Sequence, residues 1–207
     1  MRYGLLGIIT LWLAAPVSAV LAAEFSATMT QSAPNQEEMT SRLYVKGDAM
    51  REETSIKGQE RIRIHDKSDH IMWLLNPAEK QYVEFAGQPA SAAGGPVEPP
   101  LPDEPGSPCQ QASSGLQCTR LGVETINGRQ AEKWRFVATG KGPGQQATQW
   151  TEWFDKELRI PIRGEGPSGV VRELSDIEVA PQPADLFTIP PGYEKIEMPQ
   201  RGPQGRR

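Results

Sequence analysis

His65, Asp66, Asp69 and His70 bring two imidazoles and two carboxylates together within one short stretch, and these are donor types that hold divalent metals. The same stretch, completed by Lys67 and Ser68, is also what a solvated hairpin tip looks like, because Asp and Ser bond their own backbone in tight turns. The turn is the preferred reading, and no metal is expected. These are the chain's 2 histidines, so a Ser-His-Asp arrangement would have to draw on this turn, and no nucleophile-elbow sequence accompanies it. No glycine-rich loop precedes a helix, so nucleotide binding lacks its anion site. Glu52 and Glu53 point to opposite faces of a strand and cannot share a proton. The chain is therefore expected not to be an enzyme, and no cofactor is expected.

Cys109 and Cys118 are the 2 cysteines, and in an oxidising compartment they are expected to close a short disulfide loop. A redox-active pair would have two intervening residues and a strand-to-helix setting, and this pair has neither. Trp73, Trp134, Trp150 and Trp153 carry more information. On a strand, Trp150 and Trp153 point to opposite faces, so one lines the inner side and the other needs separate cover. Core packing and the lining of an apolar ligand cavity both account for this set.

The elements that must position these residues are strands. Met39–Val45, Met50–Ile56, Arg61–His65, Ile71–Leu75 and Lys80–Phe85 alternate or run apolar, with turn residues between them, and read as an antiparallel meander. Ile62 and Ile64 share one face of their strand, and three cationic or titratable groups take the other. Ile71–Leu75 is apolar on both faces, so it belongs in the middle of the sheet with cover on both sides. Glu24–Gln31 precedes the meander as an opening strand. Beyond it, Gln117–Ile126 and Arg129–Ala138 flank Asn127-Gly128, the strongest hairpin signal in the chain. Ala147–Asp155, Leu158–Ile162, Val170–Ile177 and Tyr193–Met198 follow. Pro161 marks its strand as an edge or an irregular one, and Pro183–Phe187 has room for one helical turn. The fold class predicted is all-β, with about ten or eleven strands and little helix.

Arg2, an apolar run from Leu5 to Ala15 and small residues around Ala22 read as a cleavable signal peptide over residues 1–22. Pro16 and Ser18 interrupt the run and no basic flank follows it, so a membrane anchor is not expected. Export to the periplasm is. Loss of the leader leaves 21 basic against 26 acidic groups, a formal charge of −5, which argues against nucleic acid as a partner. A single domain is expected over 23–198. Within it, residues 86–115 are rich in Gly, Pro, Ala and Ser and are expected to form a long mobile loop that buries no core, pinned at its far end by the disulfide. Residues 199–207 are expected to be a disordered tail.

Phe25-Ser-Ala-Thr28, Leu43-Tyr-Val-Lys-Gly47 with Met50-Arg51-Glu52, and Met72-Trp73-Leu74 with Asn76-Pro77 and Gln81-Tyr82 together form a pattern. With Gly122–Arg129, Lys133-Trp134 and Pro190-Pro-Gly-Tyr193, it resembles LolA-like periplasmic proteins, a group that includes outer-membrane lipoprotein-sorting carriers. The resemblance implies a strongly curved, unclosed antiparallel sheet, a half-barrel whose apolar concave face receives acyl chains. Where the carriers have plugging helices, this chain has its Pro/Gly-rich segment. The function expected is non-catalytic binding of a lipid, or of the acyl chain of a lipoprotein. The alternative is a protein-interaction or envelope-stress-sensing module, with an envelope protein as partner and a packed core. Leu43, Val45, Ile62, Ile64, Trp73, Trp134, Phe136 and Trp150 are expected to line the cavity. Met72 is the alternative to Trp73, since both faces of that strand are apolar.

Overall fold

A computed structural model describes residues 24–66, 68–86, 101–111, 115–139 and 146–197. The expected leader, residues 87–100 and 112–114 of the expected loop, and the expected tail lie outside these residues. The strands are β1 (Phe25–Ser32), β2 (Met39–Lys46), β3 (Ala49–Ile56), β4 (Gln59–Asp66), β5 (Ile71–Asn76) and β6 (Gln81–Ala86). They continue as β7 (Leu116–Ile126), β8 (Arg129–Ala138), β9 (Thr148–Asp155), β10 (Ile160–Glu165), β11 (Val171–Val179) and β12 (Glu194–Lys195). All join one 12-stranded sheet in the order β12-β6-β5-β4-β3-β2-β1-β11-β10-β9-β8-β7. The sheet is curved and does not close, as the all-β half-barrel expectation required. The count exceeds the expected ten or eleven, and the last strand, within the expected Tyr193–Met198, is only 2 residues long and runs parallel to β6.

Local chemistry accounts for the meander. Lys57 and Gly58 (φ 51° and 77°), and Asn127 and Gly128 (φ 47° and 82°), are left-handed at both positions of their turns, the geometry that suits the twist of a two-residue hairpin. β1 joins the two halves of the sheet, pairing with β2 on one side and with β11 on the other. β10, expected at an edge or irregular, is interior and irregular: its register with β9 shifts between Pro161 and Arg163. Proline offers no N–H there. On the other neighbour of β10, the Asn127 side-chain amide donates to the Leu174 carbonyl of β11 at 2.8 Å and to Glu173 at 3.0 Å.

Residues 181–197 cross one face of the β2–β6 half as a strap. Lys46 Nζ donates to the Gln182 carbonyl at 2.8 Å, and Arg51 Nη1 donates to the Leu186 carbonyl at 2.9 Å. The strap contains a 3-10 turn, Ala184–Phe187, within the stretch where one helical turn was expected. Tyr193 then packs, as do Trp73 and Tyr82, against the buried cluster of Ile62, Ile64 and Leu75. The buried Arg51 guanidinium also pairs with Glu53 at 2.7 Å, so its charge is not left bare.

The expectation that residues 86–115 bury no core is corrected for 101–111. Leu101 is buried against Trp134, Phe136 and Phe154. Glu104 holds the Arg159 fork with both carboxylate oxygens, at 2.7 and 2.8 Å. Composition had suggested an uncommitted loop, but one leucine and a bidentate ion pair are enough to seat it. The Cys109–Cys118 disulfide is formed and ties the segment to β7. Replacing both cysteines with serine should lower stability by about 2–3 kcal/mol through loop-closure entropy, and should speed amide exchange across 101–111. Denaturant melts and exchange rates identical to the parent would contradict this.

Candidate functional site

Register decides which side chains share a face, since a slip of one residue exchanges the two faces. Leu43 is opposite Ala27 and Glu52, Glu52 is opposite Arg63, and Arg63 is opposite Leu74. The neighbouring row runs from Leu174 through Met29, Ser41 and Thr54 to Arg61. In the row beyond that, Arg172 is opposite Gln31, and Gln31 is opposite Met39. The meander face that carries Leu43 therefore also carries the cations of β4.

Over this face lies a groove of about 820 Å³, within the size range of small-molecule sites. One wall comes from β1–β5 and includes Met29, Met39, Leu43, Met50, Ile56 and Leu74. The other comes from β9–β11 and includes Phe154, Ile160, Ile162 and Leu174. Glu52, Arg61, Arg63, Glu152, Arg163, Arg172 and Glu173 place charge along the same groove. Most of that charge is internally compensated. Arg63 pairs with Glu52 at 3.0 Å, and Arg163 pairs with Glu173 and with Glu165. Arg61 instead bonds Asn76 Oδ1 at 2.9 Å and Gln59 Oε1 at 3.0 Å, and Arg172 bonds Gln31 Oε1 at 2.7 Å. Burial raises the Glu152 carboxyl above its ordinary value, and a hydrogen bond from the Trp150 side chain partly opposes the shift.

The expected cavity residues do not share one cavity. Leu43 lines the groove. Val45 is on the same face, next to Phe25 and Met50, and packs against the central core cluster. Trp134, Phe136 and Trp150 cluster with Phe154 beneath Leu101. Phe136 and Trp150 stack with ring centres 5.2 Å apart. Ile62, Ile64 and Trp73 are corrected to the opposite face. Ile64 is opposite Arg51 and Trp73, and the strap covers this patch. Trp153, which needed separate cover, is buried under Lys133 and Arg163 and donates its indole N–H to Glu124 at 2.8 Å.

The histidine cluster is not assembled as a site. His65 is buried opposite Met50 and Met72, whereas His70 is exposed in the turn. Asp66 accepts from the Ser68 hydroxyl at 2.6 Å and from the Ser68 and Asp69 amides, which is the turn chemistry expected. Among the described residues, no group of three His, Cys, Asp or Glu side chains is placed to hold a metal ion. The groove residues missed by sequence reasoning include Met29, Met39, Met50, Leu74, Phe154 and Ile162. Turn length was the signal that would have found part of the set. Two-residue turns at Gly47-Asp48 and Lys57-Gly58 put Leu43, Glu52 and Arg63 in one row.

No family model matches the chain, and no curated protein sequence matches it. Among solved structures, the fold is similar to that of an uncharacterized conserved protein from Thermus thermophilus, with a TM-score of 0.51 and 14% identity over 86% of this chain and 91% of that one. It is also similar to MucB in the Pseudomonas aeruginosa MucA/MucB complex (TM-score 0.48, 19% identity, 80% of this chain), where it spans 55% of the matched chain. A LolA superfamily protein from Nitrosomonas europaea is a further structural neighbour, with a TM-score of 0.36 and 13% identity over 84% of this chain and 98% of that one. The first of these shows a shared fold.

Two measurements test the assignment of faces and charge. Ile64 is fully buried under the strap, so Ile64→Ala should cost about 2–5 kcal/mol through the void left behind. Leu74→Ala, at a half-exposed position bordering the groove, should cost much less. Equal losses in chemical denaturation would show the groove to be packed. Glu152 has a folded-state pKa above its unfolded value. Its penalty is therefore absent below the usual glutamate range of about 4.3 and fully developed only above the folded-state pKa. Glu152→Gln should raise Tm at neutral pH, and the gain should disappear on acidification. A Tm difference independent of pH would overturn that reading.

Proposed function

We propose that this is an exported, non-catalytic binding protein whose groove takes the acyl chain of a lipid or of a lipid-modified partner. The observation that carries the proposal is the groove itself. Its volume of about 820 Å³ is walled on both sides by apolar side chains, three of them methionines from β1, β2 and β3. Unbranched thioether side chains adapt to irregular apolar ligands without fixing one shape. On the opposite face of the same strands the strap covers the Ile62, Ile64 and Leu75 cluster, which leaves the groove face to receive a ligand. The leader sequence and the disulfide support an oxidising destination, and the periplasm fits both. Among the described residues, no helix is long and apolar enough to cross a membrane.

A second reading, as a protein-interaction or envelope-sensing module, is favoured by β7. This 11-residue strand ends the sheet order, and Leu121 and Val123 on it are 45% and 49% exposed. An edge strand of that kind can accept a partner's strand.

Binding of a fluorescent fatty-acid analogue distinguishes the two readings. The mature protein should bind it with micromolar-order affinity and change its tryptophan emission. Leu74→Glu should remove binding without unfolding the sheet, because the side chain borders the groove rather than a closed core. If no acyl probe binds the folded parent protein, the groove reading fails and the β7 surface becomes the site to pursue.

A further inference from the structure

We propose that the ligand is anionic, and that Arg61 and Arg172 hold its headgroup at the mouth of the groove while its chain runs toward Leu43 and Phe154. The inference rests on the acyl-groove reading and adds the ligand's charge and orientation. Four guanidiniums line the groove, and they divide into two kinds. Arg63 and Arg163 are each neutralised by a carboxylate, Glu52 for the first and Glu173 with Glu165 for the second. Arg61 and Arg172 are held only by uncharged oxygens among the described residues, from Asn76, Gln59 and the Glu60 backbone carbonyl for the first and from Gln31 for the second. Amide partners aim a guanidinium without cancelling its charge, and the fork that remains matches a carboxylate or a phosphate.

The two arginines come from opposite walls and lie toward the same end of the groove. Arg172 is in the row of Gln31 and Met39, and Arg61 is in the adjacent row with Thr54 and Met29. That end also shows large apolar side chains to solvent, Met39 at 36% and Ile56 at 49% exposed. Uncancelled cations and exposed methionine and isoleucine thus stand side by side at this end. They are complementary to an amphiphile with a negative head and an apolar chain. Glu152 is the groove carboxylate without a cationic partner among the described residues; the Trp150 side chain bonds it, and Gly164 separates it in register from Arg172.

The test compares amphiphiles of one chain length on the mature protein by calorimetry. The probes are a fatty acid, its phosphate-headed lysolipid counterpart and the neutral monoacylglycerol. At least one anionic probe should bind about tenfold or more tighter than the neutral one, as expected for charge-assisted hydrogen bonds from two guanidiniums at the partly exposed mouth of the groove. The tighter of the two anions would identify the headgroup as carboxylate or phosphate. In the Arg61→Gln, Arg172→Gln double variant, anion affinity should fall to that of the monoacylglycerol while Tm stays unchanged. Equal affinity of the parent for anionic and neutral probes would overturn the headgroup assignment and leave the acyl groove standing. A preference for the anion that survives in the double variant would do the same. If neither class binds, the assignment and the groove reading fall together.

Discussion

β1 has to satisfy two antiparallel ladders at once, and the rest of the architecture depends on it. Phe25 is opposite both Val45 and Val179, and Met29 is opposite both Ser41 and Leu174. This one strand thereby joins a meander to elements about 140 residues away in sequence. The central core cluster forms around this junction, with Phe25, Ala27, Leu43, Ile162 and Leu174 in contact across it. The groove opens along the same junction because its walls belong to the two halves that β1 joins.

The two faces of the meander meet different fates. On one, isoleucines of β4 and a leucine of β5 are closed by Tyr193 and the strap, and Arg51 anchors the strap through a backbone carbonyl. On the other, Glu52, Arg61 and Arg63 interrupt the apolar surface, so it cannot collapse on itself without burying charge. An open groove follows from that constraint as much as from the curvature of the sheet. Toward the other end of the sheet, Leu101 closes the aromatic cluster of Trp134, Phe136, Trp150 and Phe154, of which Phe154 also borders the groove. A segment rich in proline and glycine thus supplies part of the core, held by Glu104 and the disulfide rather than by secondary structure.

The sequence by itself determined the strands, most of the turns, the disulfide and the all-β class. Alternation, Asn127-Gly128 and paired cysteines act over a few residues, and little in the rest of the chain can override them. It placed Leu43, Trp134, Phe136 and Trp150 in one cavity, whereas Leu43 lines the groove and the three aromatics pack with Leu101. It did not determine which faces combine. Ile62 and Ile64 look like cavity residues when apolar character is the only guide. Yet the short turns carry the parity of each strand into the next, and that parity puts Arg61 and Arg63 beside Leu43. Only the tertiary structure decided that β1 bridges the two halves, that residues 181–197 seal one face, and that Leu101 is buried. Those outcomes depend on contacts between segments far apart in the chain, whose free energy comes from surface removed from water on both partners together, and neither partner's sequence contains it alone.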